Sequence, residues 1–121
     1  MSDFVTTGDP LVDVPSLIKW RGDGLTFVEL HKYLPYLKGN SAYGMSDNNI
    51  VFWDGLSSEC IKSLVGLSKA GIIVQTSTAM LTYMIDGAVP KLPLAKSNRK
   101  YKKLHWAPIT FSLARNAAKA A

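Results

Sequence analysis

The sequence predicts a small α+β fold, a single domain with two main helices packed on a mostly antiparallel sheet of three to four strands. Three observations carry this prediction. Residues 57–70 have helical spacing between a clear start and a clear stop; residues 50–53 and 72–76 are apolar and β-favouring; and 121 residues, 47% hydrophobic and 19% charged, build one ordinary core but not two. The predicted layout is a polar leader over 1–10, the domain over 11–113, and a flexible or short helical tail over 114–121.

Asp9-Pro10 signals a turn, and the apolar segment Leu11, Val12, Val14, Leu17, Ile18 and Trp20 predicts a brief helix with Pro15 as its first residue. Arg21-Gly22-Asp23-Gly24 is a turn by its glycines; the Arg-Gly-Asp tripeptide matches an integrin-binding signal, and the simpler reading is a loop. Thr26 and Glu29 have the spacing of a capping box, with Leu25 and Leu30 placed as a hydrophobic staple, so a helix begins here and buries Phe27, Leu30, Leu34 and His31. Pro35 ends it near Leu34, because proline lacks a donor and disfavours α geometry in its predecessor. Residues 39–49 read as a polar loop, Ile50–Trp53 as a central strand buried on both faces, and Asp54-Gly55 as the turn that follows.

Ile61, Leu64, Val65 and Leu67 then share one helix face. Ser57 or Ser58 caps that helix, Glu59 suits its positive end, and Lys69 with Gly71 closes it. Gly66 lies inside, where the sharper reading is close packing against a strand. Strands are expected over 72–76 and 80–85, with a turn at Ser77–Ala79. Residues 88–106 carry Pro90 and Pro93 and read as an extended arm or long loop, and Ile109, Phe111 and Leu113 alternate as a closing strand.

Composition excludes several function classes. A lone cysteine, Cys60, rules out an intrachain disulfide framework and favours a reducing, cytoplasmic setting. The N-terminal residues lack the pattern of a signal peptide, and the longest uncharged run, Ala70 to Ile85, is 16 residues, too short and polar to span a bilayer, so no membrane partner is expected. His31 and His105 lie on different elements with no compact ligand set, so neither a metal nor a cofactor is expected. No phosphate-binding glycine loop, dinucleotide fingerprint or G-x-S-x-G turn is present. Cys60 has the position of a helix-activated thiol, although a buried inert thiol is commoner. Asp54 and Asp86 each precede a glycine, which fits acid–base work and, more simply, turns.

Charge is the one feature with functional content. The net charge is +5; residues 1–86 balance at −3 and residues 87–121 at +8, with no acid in the latter stretch. The basic arm contributes Lys91, Lys96, Arg99, Lys100, Lys102 and Lys103, with Tyr101 interleaved and His105-Trp106 following. Cations of this density neutralise phosphates and release counterions, and aromatic faces stack on unpaired bases. The simpler reading is a solvated loop, with Tyr101 and Trp106 anchoring it to the core.

A capped helix, an apolar strand, a second helix ending in SKAGII and a strand pair with a basic excursion together resemble a winged-helix nucleic-acid-binding domain over roughly residues 25–113; the nearest piece is CIKSLVGLSKAGIIVQ. The resemblance implies Lys62, Ser63 and Lys69 as groove or phosphate contacts and 91–103 as an enlarged wing. Eighteen residues including a strand separate the two helices, where a helix-turn-helix has a short turn. WDGLS, YMIDG, LPLAK and HWAP also resemble segments of small prokaryotic and phage proteins, which implies no function. The leading expectation is a non-enzymatic DNA- or RNA-binding accessory or regulatory protein. The alternative is a module or inhibitor, for instance phage-encoded, docking on an acidic protein surface; a weaker one is a small enzyme using Asp54, Asp86 or His105.

Overall fold

Helices and strands follow one another along the chain as α1 (Pro10–Arg21), α2 (Phe27–Tyr33), β1 (Lys38–Met45), β2 (Ile50–Leu56), α3 (Ser58–Lys69), β3 (Ile73–Ser77), α4 (Met80–Asp86), β4 (His105–Trp106) and β5 (Ile109–Leu113). These assignments come from a computed structural model that describes residues 4–97 and 99–114. The expected tail therefore lies, from residue 115 onward, outside the described residues, as do the first three residues of the leader.

The result is a small α+β domain with two sheets. β2 is central in a mixed sheet of order β1-β2-β4, antiparallel to β1 and parallel to β4, while β3 and β5 form a separate antiparallel pair. Among the described residues there are four α-helices, the two main ones and the brief one expected near Pro15 together with α4. α1 packs on α3 and β5, α3 on β1 and β3, and α2 on α4. Between the sheets runs a chain of aromatic rings. Phe27 lies parallel to Trp53 at 5.8 Å and meets Phe111 edge-on at 5.4 Å, and Tyr83 touches both Trp53 and Trp106 at 5.2 Å. Such rings combine large apolar area with directional contact.

The helix caps follow the sequence. Ser57 Oγ accepts from the Cys60 amide and caps α3, and Asp9 does the same for α1 through Leu11. Thr26 Oγ1 accepts from the Glu29 amide, but the return half of the capping box is not made, because Glu29 pairs with Arg21 instead. Arg21 also donates to the Asp23 carbonyl and Asp23 Oδ1 accepts from the Leu113 amide, so the Arg-Gly-Asp segment is a pinned corner of the fold.

Five expectations need correction. Residues 80–85 form α4, not a strand: the composition favours β, yet Tyr83 is drawn inward, its hydroxyl donating to the Ile109 carbonyl at 2.6 Å and accepting from the Phe27 amide. Tertiary context overrides propensity here. Residues 39–49 hold most of strand β1, whose small residues give weak strand signals but permit close backbone approach. Asp54-Gly55 continues β2, with Gly55 in the left-handed region at φ 72° where the ladder is irregular. α1 starts at Pro10 rather than Pro15, since Asp9 supplies the cap. Gly66 is exposed with no atom within 4 Å of an added Cβ, so it does not mediate close packing.

Candidate nucleic-acid interface

The arm begins beyond Gly87, whose φ of 100° closes α4 in the left-handed conformation that glycine tolerates. It does not trail into solvent. The Ala95 amide donates to the Trp106 carbonyl and the Trp106 amide to the Pro93 carbonyl, both at 2.8 Å, so residues 94–106 leave the sheet and return to the same point. Trp106 is fully buried and its indole Nε1 donates to the Phe52 carbonyl at 3.1 Å, which roots the return strand on β2.

Tyr101 fills the closed loop. Its side chain is only 7% exposed, and its Oη accepts from the Lys96 and Ser97 amides at 3.0 and 3.2 Å and donates to the Ser97 carbonyl. The Ser97 amide is the main influence holding this phenol down to about 8, and Arg99 acts in the same direction. The ring stacks on His105 at 3.9 Å, and the Arg99 guanidinium lies 4.9 Å from its centroid. A second anchor comes from the turn before β2. Asn49, left-handed at φ 56°, donates from Nδ2 to the Tyr101 carbonyl at 2.7 Å, while the Tyr101 and His105 amides donate to the carbonyls of Asn48 and Asn49.

The cations are displayed on this frame. Lys91, Lys96, Arg99, Lys100, Lys102 and Lys103 are all exposed, and among the described residues the one ion pair is Arg21–Glu29, far back in the chain. The structure thus gathers Lys96, Arg99, Lys100, Lys102 and Lys103 on one closed loop, with Lys91 just before it. Tyr101 is internal packing, stacked on His105 and covered by Arg99, so it presents no free ring face of the kind stacking on a base requires. Lys62 and Lys69 are exposed on α3, whose packing partners are α1, β1 and β3, whereas the arm is built on β2. Ser63 is buried.

Beside the arm is a cleft of about 460 Å³ whose walls are Val51 and Trp53 of β2 and Val89, Leu92 and Leu104 of the arm, with Asp54 and Lys91 as its charged groups. Sequence reasoning missed it by treating 50–53 as buried on both faces; Ile50 and Phe52 are buried, but Val51 and Trp53 are only half-buried. It missed Asn49 as well, for which the only signal was an asparagine next to a strand, a residue type that tolerates the left-handed region.

The remaining chemical candidates are separated or occupied. Burial pushes the Cys60 thiol up to about 12, which suits the inert reading. Asp86 accepts the Thr26 hydroxyl at 2.6 Å, and His105 Nδ1 lies 2.8 Å from the Lys103 carbonyl. His105 is level with Ile50, four residues from Asp54 along β2, or about 13 Å at strand rise. No group of three or more His, Cys, Asp or Glu that could hold a metal occurs among the described residues, and no helix among them is long and apolar enough to cross a membrane. Comparison with protein-family models, curated proteins and solved structures finds no match to this chain.

Proposed function

We propose that this chain is a non-enzymatic nucleic-acid-binding accessory protein that contacts phosphates through the arm at 88–106. The observation that carries this reading is the closed loop: five cations without an ion-pair partner among the described residues are held outward by a buried tyrosine and its main-chain bonds. A merely solubilising loop has no need of such a frame. Pre-ordering it lowers the entropy that binding would otherwise have to offset. The winged-helix likeness adds no support, because β3 pairs with β5 and residues 80–85 are helical.

Fluorescence anisotropy with labelled single- and double-stranded oligonucleotides tests the reading. The wild type binds at low salt, and the triple variant Lys100→Ala, Lys102→Ala, Lys103→Ala loses most of that affinity. Absence of wild-type binding at low salt defeats it.

A second reading, docking on a protein, is favoured by α4, where Leu81, Met84 and Ile85 are 60%, 53% and 76% exposed. In that case Met84→Ser with Ile85→Ser abolishes a partner contact measured by co-purification, while oligonucleotide affinity is unaltered.

A further inference from the structure

The cleft next to the arm has the shape and chemistry of a base pocket. Its volume of about 460 Å³ falls within the roughly 300–1,000 Å³ of small-ligand sites, and its walls are apolar apart from one carboxylate and one ammonium. On one wall stands the Trp53 indole, which packs against Phe27 and Tyr83. The other wall comes from the arm. There Leu104 and Val89 are 49% and 39% exposed, an unusual use of aliphatic side chains on a cationic loop unless something apolar lies against them.

The placement of charge identifies the occupant. Lys91 lines the cleft, and the exposed Lys102 and Lys103 directly precede its lining residue Leu104 in the chain, so cations adjoin the cleft at Lys91 and next to Leu104. Asp54 is the one carboxylate lining it, and an anion in such a place repels phosphate but accepts the amino or imino N–H on a base edge. We infer that the cleft between Trp53 and Leu104 receives one unpaired base of a single strand whose phosphates are held by Lys91, Lys102 and Lys103. This rests on the phosphate-binding reading above and adds to it a preference for single strands, because a paired base presents no free face to enter the cleft.

The test compares a short fluorescein-labelled single strand with the duplex of the same sequence, using anisotropy at low and high salt. Two variants are used: Leu104→Ser, at an exposed arm position, and Trp53→Leu, which also touches the core and is checked by circular dichroism. The wild type is expected to prefer the single strand by at least about fivefold, the lower end of what stacking one base contributes. Leu104→Ser is expected to remove that preference without changing duplex affinity. The loss should persist at high salt, where phosphate contacts are screened.

Equal wild-type affinity for both forms, untouched by either variant, overturns the base pocket while leaving the phosphate reading intact, and an apolar side chain of a protein partner is then the remaining occupant. Equal weakening of both forms by Leu104→Ser overturns it as well, since that marks a loss of arm shape. Failure of the wild type to bind either form defeats the phosphate reading and this inference together.

Discussion

Asp13 is a carboxylate only 1% exposed, with the Thr7 amide and hydroxyl, the Gly8 amide and the Tyr36 hydroxyl all donating to it at 2.5–3.0 Å. Burial by itself raises its pKa, but the bonds from Tyr36, Thr7 and Gly8 outweigh burial and hold it below the ordinary carboxylate value. A depressed folded pKa adds stability above the unfolded carboxyl's pKa of about 3.9, and that stability is lost as pH falls through the folded value. Thermal melts from neutral to strongly acidic pH are therefore expected to show Asp13→Asn less stable than wild type by about 2–3 kcal/mol at neutrality, as expected for loss of hydrogen bonds to a buried charge. The gap should narrow below pH of about 3.9. A gap that does not depend on pH would show that the carboxylate's charge is irrelevant. Asn49 is the corresponding residue of the arm. Asn49→Ala loses the bond to the Tyr101 carbonyl and puts a Cβ residue without a compensating side-chain bond in the left-handed region, about 1–2 kcal/mol in all. Limited proteolysis should find faster cleavage within 94–106 in that variant, and an unchanged rate would mean that the arm is held without Asn49.

At the scale of elements, glycines in α3 and β1 make opposite predictions. Gly66 sits on the exposed face of α3 with open space around it, so Gly66→Ala is expected to stabilise the protein by about 1 kcal/mol in chemical denaturation. In β1 a Cβ at Gly39 would lie 2.5 Å from the Ser57 Cα, and one at Gly44 would meet the Ile50 carbonyl and lie 2.8 Å from the Val51 Cα. Gly44→Ala is therefore expected to cost about 3 kcal/mol or more, since the backbone of β2 at Ile50 and Val51 cannot yield without shifting the strand. A neutral result in either strand position would contradict the β1–β2 pairing. The same contrast explains what was legible. α3, β3 and β5 stand out in the sequence because caps, β-branching and alternation are local signals. β1 was hidden because its glycines answer to backbone of the next strand and the turn after it, not to their own sequence neighbours: Gly44 lies opposite Val51 and Gly39 packs on Leu56 and Ser57. α4 was misread because its helical state depends on the long-range bonds of Tyr83, and its N-cap Ala79 offers no side-chain signal.

At the scale of the whole molecule, charge separates along the chain and the fold gives that separation a place. The cations of the arm were visible in the sequence as a count; their frame was not, because Tyr101 reads equally as a stacking platform or an anchor until its bonds to Lys96 and Ser97 are seen. With the ring inside the loop, affinity for a phosphate chain comes from the lysines and depends on salt. Each neutralised phosphate of a single strand contributes about 0.7 to the slope of log affinity against log salt. Removing Lys100, Lys102 and Lys103 together is therefore expected to flatten that slope by about 2 if all three contact phosphate. Tyr101→Phe provides the complementary measurement. It keeps every cation and the ring but removes the hydroxyl that ties the Lys96 and Ser97 amides, so the slope should stay close to that of wild type while affinity falls through lost order of the loop. A triple variant with an unchanged slope would move the phosphate contacts off the arm, leaving the exposed Lys62 and Lys69 of α3 as the next cations to replace.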